Sequence, residues 1–224
     1  RRAGSTADED AYVRIIVTRG TGTAPNIDLA YAPGPATTVL MVRPLPKVAG
    51  NPSRLAMIPR LRNDRRALDP AIKSGNYLNN VLGLAEAKAK GATDCLFLNA
   101  DGNVTEASTA NFYVVIDEVI YTPPLGAGLL PGITRRMLEE CAHGAGIAFR
   151  ERNFSEDEIE HATEMFLTST GRDISPVTHV NDRELNGGRT APFTSKMMER
   201  FTAYCDAHAL EVDAARLREF GIDV

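Results

Sequence analysis

The sequence predicts a mixed α/β fold, and three observations lead there. Short β-branched and aromatic runs alternate with helix-period segments along most of the chain. Glycine, proline, asparagine and aspartate mark nearly every junction between them. The composition, 43% hydrophobic and 24% charged over 224 residues, is that of a globular protein able to bury a sizeable core, so one large domain or slightly more is expected.

Residues 1–10 are polar and read as a connector ahead of a domain spanning 11–224. A half-buried strand is expected over 12–19, ended by Gly20 and Gly22. No helix follows that glycine pair, and Pro25 and Asn26 mark a loop, so it is a turn rather than a nucleotide-binding fingerprint. Further strands are expected over 37–43 and 53–61, separated by a Pro/Gly-punctuated stretch. After a turn-rich segment over 68–77, Leu78, Val81, Leu82, Ala85 and Ala89 recur at helical spacing, and Gly91 stops that helix.

A β unit follows, with strands expected over 95–99, 111–116 and 119–122, a turn at 100–103 and a tight turn at Asp117 and Glu118. Pro123 and Pro124 end it, and a helix opens near Gly132 and runs to about Gly144. A strand over 147–152, a helix over 155–161 and a strand over 164–168 come next, with Ser155 and Glu158 spaced as a capping box. The chain then turns through 168–172 into a strand over 174–180, a hairpin over 181–188 and a last amphipathic helix over 193–208.

Net charge is -4 with both signs interspersed, which argues against nucleic acid or an anionic membrane surface as partner. No apolar run is long enough to span a bilayer and no signal-peptide core is present, so a cytoplasmic location is expected. Cys95, Cys141 and Cys205 are odd in number and lie in apolar surroundings, which reads as reduced buried thiols. His143, His161, His179 and His208 show no metal-ligand spacing, so no metal is expected, and solvated or satisfied roles fit His161 and His179 better than catalytic ones. On spacing alone Lys73 is one lysine among Lys47, Lys88, Lys90 and Lys196. By the same measure Glu106 reads as a turn residue after Asp101-Gly102.

A compound motif separates these readings. It runs Glu106-Ala-Ser108-Thr-Ala-Asn111-Phe112-Tyr113, then Ile120-Tyr-Thr122, then Leu130-Pro-Gly132-Ile133-Thr134-Arg135. It resembles the class IV aminotransferase signature, and Ala67-Leu-Asp-Pro-Ala-Ile-Lys73-Ser-Gly-Asn-Tyr77 is similar to the lysine segment of branched-chain and D-amino-acid aminotransferases. The resemblance covers roughly 12–201. It implies a fold-type IV large domain over 11–224, a pseudo-barrel of mixed strands flanked by helices, with 1–10 as the remnant of a small N-terminal domain that members carry ahead of it. That small domain brings the phosphate-binding arginine, and Arg1 and Arg2 do not match its motif. The sequence is therefore expected to be a truncated or nicked form, or a naturally shortened one.

The resemblance also implies pyridoxal 5'-phosphate as cofactor, amino acids and 2-oxo acids as substrates with the branched-chain type foremost, and a homodimer. Lys73 is the residue that would carry the cofactor as a Schiff base and then act as general base, because an amine in a partly desolvated pocket can serve both purposes. Glu106 would face the pyridine nitrogen and keep it protonated by charge pairing. Ile133 and Thr134, at a helix start, and Thr170 would hold the phosphate, and Tyr77 would bond the phenolic oxygen. Gly171 and Arg172 would meet the substrate carboxylate. Branched-chain enzymes often have two small residues there, so Arg172 suits a second carboxylate, as in glutamate, or faces water. A D-amino-acid or (R)-amine aminotransferase, aminodeoxychorismate lyase and an inactive fragment are the alternatives.

Overall fold

The computed structural model describes residues 11–45, 50–209 and 218–219. The expected connector at 1–10 and Lys47 lie outside them, as does the side chain of His161. The chain divides into two units, Arg1–Val48 and Ala49–Val224. In the first, strand β1 (Ala11–Thr18) pairs antiparallel with β2 (Thr37–Pro44), from Ala11 opposite Pro44 to Thr18 opposite Thr37. β1 is exposed almost throughout, not half-buried as expected; among the described residues of this unit its one strand partner is β2, and a two-stranded ribbon by itself buries neither face.

The second unit is a closed barrel. Its strands are β3 (Ser53–Leu61), β4 (Asp94–Leu98), β5 (Val104–Ala107), β6 (Asn111–Ile116), β9 (Glu164–Ser169) and β10 (Asp173–Val180). Parallel pairs β10–β3 and β3–β4 are followed round the ring by antiparallel pairs β4–β5, β5–β6, β6–β9 and β9–β10. β7 (Val119–Thr122) and β8 (Phe149–Glu151) extend the sheet from β6, and β11 (Arg183–Glu184) folds onto β10. The expected pseudo-barrel of mixed strands flanked by helices is what forms.

Most positions on these strands are buried on both faces, and the alternation of side chains divides their apolar residues among separate clusters. Leu55, Met57, Leu96, Phe112, Val114 and Leu167 pack together in one cluster. Their sequence neighbours face helices instead. Ala56, Ile58, Cys95 and Phe97 meet α1 (Leu78–Ala89), while Tyr113, Val115 and Phe166 meet α2 (Ile133–Gly144) and α4 (Pro192–Ala207) through Leu138, Met197 and Phe201. Burying each of those last three side chains contributes about 1.5–3 kcal/mol.

Gly83 sits mid-helix in α1, where glycine costs roughly 0.5–1 kcal/mol relative to alanine. Close packing explains it: a Cβ there would overlap the Phe97 ring and stand 2.9 Å from Ile58 Cδ1. Asp117 and Glu118 both take positive φ, 50° and 60°, as a two-residue hairpin turn between β6 and β7 requires. The capping box forms on the short helix α3 (Glu156–His161): Ser155 Oγ accepts from the Glu158 amide, and the Glu158 carboxylate accepts from the Ser155 amide.

β5 is the element that the sequence pattern misses. Thr105 and Glu106 interrupt its apolar run, yet both are buried, with Thr105 Oγ1 donating to the Phe97 carbonyl at 3.1 Å. Satisfied polar side chains defeat a reading based on hydrophobicity. Among the described residues, no helix is long and apolar enough to cross a membrane.

Candidate active site

The barrel brings one end of β5, β6 and β9 together with the loop that follows β3. Glu106, on β5, is opposite Asn111 on β6, and Asn111 is opposite Thr168 on β9. The turn carrying Thr170, Gly171 and Arg172 therefore leaves the barrel beside the segment carrying Glu106 to Asn111.

Glu106 is buried at 5% exposure and is the hub of this end. Its Oε1 accepts from Arg62 Nε at 3.0 Å, and its Oε2 accepts from the Leu130 amide at 3.1 Å and from Asn111 Nδ2 at 3.4 Å. Asn111 Nδ2 also donates to the Leu130 carbonyl at 2.8 Å, so both backbone groups of Leu130 are held by these two side chains. Arg62 is in turn fixed by Asn79 Oδ1 at 3.0 Å, and its guanidinium stands 5.7 Å from the Phe97 ring centroid. Burial pushes the Glu106 carboxyl above its ordinary 4.5, against the opposing pull of the Arg62 guanidinium, the Leu130 amide and the Lys73 ammonium.

Lys73 is exposed, in the loop between β3 and α1. Reverse turns shape that loop: the Ala71 amide donates to Asp69 Oδ1 at 3.0 Å, and the Ser74 amide donates to the Ile72 carbonyl at 2.7 Å. Tyr77 is half-buried at the start of α1. Two residues on, Asn79 meets Arg62, while Asn80 Nδ2 donates to the Ser108 carbonyl at 2.6 Å. The first turn of α1 therefore docks the lysine loop onto the Glu106 segment.

At α2 the Leu130-Pro-Gly132 approach ends in an N-terminus that no side chain caps. Gly132 is required there, because a Cβ would overlap Asn111 Oδ1. Ile133 is exposed and Thr134 is buried. Uncapped first-turn amides at the positive end of a 12-residue helix are suited to an anion such as a phosphate. One amine, one buried carboxylate under incomplete compensation, and a bare helix start tied to that carboxylate through Leu130 and Asn111 fit pyridoxal 5'-phosphate.

Thr170 is exposed; Gly171 and Arg172 are half-buried. Arg172 does not simply face water. Its Nη1 donates to Asp94 Oδ2 at 3.0 Å and its Nη2 to Thr109 Oγ1 at 3.4 Å. Sequence reasoning misses Arg62, the counter-ion of Glu106, whose one signal is a charged residue directly after an apolar strand. Asn111 belongs to the motif, but its role emerges only from these contacts. The thiols offer no nucleophile: burial pushes Cys95 up to about 12 and raises Cys141 and Cys205. His179 lies at the β10–β11 hairpin, its Nε2 3.6 Å from Glu184 Oε2.

Comparison with known proteins follows the same lines. A family described as amino-transferase class IV matches residues 1–180. The putative branched-chain-amino-acid aminotransferase of Methanocaldococcus jannaschii is 34% identical over 198 residues, covering 86% of this chain and 66% of that protein. The D-alanine aminotransferase of Staphylococcus aureus (strain N315) is 34% identical over 147 residues, 66% of this chain and 52% of that protein. A crystal structure of the branched-chain aminotransferase from the thermophilic archaeon Thermoproteus uzoniensis with norvaline superposes with a TM-score of 0.79 at 27% identity, covering 93% of this chain and 67% of that one. The chain spans between about half and two thirds of the length of these relatives.

Proposed function

Because the chain belongs to the class IV aminotransferase family and has its fold, we propose that it is the cofactor-binding part of a transaminase that exchanges an amino group between an amino acid and a 2-oxo acid. The observation that carries this reading is the buried Glu106 carboxylate, tied through Leu130 and Asn111 to the bare start of α2, next to the motif that carries Lys73. The branched-chain type is the substrate class, supported by the Methanocaldococcus jannaschii relative. A cytoplasmic location and a homodimer are part of the same reading, supported by likeness to the class IV aminotransferase family.

Bound at this site, pyridoxal 5'-phosphate supplies a carbonyl that takes up the amino group and a ring that withdraws electrons from the substrate Cα. Lys73 Nζ would hold that group covalently, and the same amine, when free, would take the substrate Cα proton and return it. Glu106 would lie against the ring nitrogen and keep it protonated, since a buried carboxylate favours a cationic partner at close range. The amides of Ile133 and Thr134 would hold the phosphate at the helix start, with Thr170 as a second contact. Tyr77 would orient the phenolic oxygen, and the Gly171–Arg172 turn would border the substrate carboxylate.

The test is reduction of the full chain with borohydride after incubation with pyridoxal 5'-phosphate, followed by peptide mass analysis. The added mass is expected on Lys73, and Lys73→Ala is expected to lose both the adduct and transamination, the latter by at least about 100-fold. An adduct on another lysine, persisting in that variant, overturns the assignment. The Staphylococcus aureus relative supports a second reading, transamination of D-amino acids. Half-reactions with L-leucine, L-glutamate and D-alanine separate the two.

A further inference from the structure

Asp94, the first residue of β4, is 1% exposed and joins three segments remote in sequence. Its Oδ1 accepts from its neighbour's amide, Cys95 N, at 2.9 Å and from the Ser108 amide at 3.0 Å, two residues past Glu106. Its Oδ2 accepts from Arg172 Nη1 at 3.0 Å, and the other arm of that guanidinium reaches Thr109 Oγ1 at 3.4 Å. The Arg172 amide closes its own turn by donating to the Ser169 carbonyl at 3.1 Å. A planar fork thus grips the segment after β5 with one prong and a buried anion behind it with the other.

We propose that Arg172 is a positioning residue: through Asp94 and Thr109 it holds the turn of Thr170 and Gly171 at a set distance from the Glu106 segment, and it does not select a second substrate carboxylate. Two features support this over direct recognition. The Asp94 carboxylate neutralises the guanidinium charge that a dicarboxylic substrate would need. Both Nη atoms already have protein acceptors, in a pair whose buried member has no other cation among the contacts described. The structural part stands on geometry alone; its consequence for substrates rests on the transaminase reading.

Two readouts test it in the full chain. Amide hydrogen exchange of the peptide covering 169–173 is expected to be about tenfold faster in Arg172→Gln, or ~1.4 kcal/mol of local opening, with the 116–120 hairpin as an unchanged control. Arg172→Lys keeps the charge without the fork and is expected to recover part of the protection. Should Arg172→Gln fail to fold with its Asp94 anion unpaired, the double variant D94N/R172Q removes that charge and carries the same expectation. Unchanged exchange in a folded variant overturns the positioning role.

The second readout is KM for L-glutamate and L-leucine. Loosening the turn is expected to raise both by the same factor, with a total loss in kcat/KM of about 10- to 100-fold. A rise confined to glutamate overturns the proposal in favour of direct carboxylate recognition. Absence of transamination in the parent chain would count against the function reading alone, since the exchange experiment does not depend on it.

Discussion

At the scale of single residues the proposed chemistry turns on Glu106, a carboxylate that the fold buries and only partly compensates. Its acid form is held to higher pH in the folded chain than in the unfolded one. In the cofactor-free protein the sign follows: the stabilisation is fully present below the ordinary 4.5 and is lost as pH rises through the raised value. Under the proposed role of Glu106, retention of pyridoxal 5'-phosphate is expected to run the other way, weakening as pH falls through the same window, because pairing with a ring cation needs the carboxylate. Urea unfolding across that range, in the parent chain and in Glu106→Gln, checks the first trend; an identical pH slope in the two proteins would falsify it. A fluorescence titration of pyridoxal 5'-phosphate over the same range checks the second. Neither Arg62 nor the depth of Glu106 could be read in the sequence, since the ion pair joins positions at β3 and β5 whose adjacency exists only once the barrel closes.

At the scale of elements, α1 shows how packing governs the site. Its first turn supplies Asn79 and Asn80 to the segments around Arg62 and Ser108, and its middle approaches β3 and β4 closely enough that only glycine fits at 83. Gly83→Ala improves intrinsic helix propensity by about 1 kcal/mol, yet forces the Phe97 ring or the helix to move. The overlap outweighs the propensity gain, and a net loss of about 1–3 kcal/mol is expected on chemical denaturation. A stabilised variant would show that α1 is free to shift outward. Most elements were legible from local signals: the capping box at Ser155 and Glu158, the Asp117-Glu118 turn, and the strand over 53–61, which matches β3 at both ends. β5 was not, because its buried Thr105 and Glu106 are satisfied by long-range partners that no local window contains.

At the scale of the whole second unit, closure of the barrel depends on the seam between β10 and β3. There Asn181, at φ 51°, donates its amide to the Leu55 carbonyl at 2.8 Å while its Oδ1 accepts from the Met57 amide at 2.9 Å. Asn181→Ala loses that side-chain bond and strains a left-handed backbone, so a loss of about 2–4 kcal/mol is expected. Asn181→Gly relieves the backbone and loses only the bond, and about 1 kcal/mol is expected. Thermal unfolding of the two variants decides the point, and equal losses would refute the role of backbone strain. The sequence by itself determined the mixed α/β class, the order of nearly every element, and the motif positions of Lys73, Glu106 and the α2 start, because periodicity, caps and turn residues are local. Only the tertiary structure decided that Arg62 faces Glu106, that Arg172 is engaged by Asp94, and that these groups meet at one end of a closed barrel. Contacts between residues tens of positions apart depend on strand register and ring closure, which the local pattern does not encode.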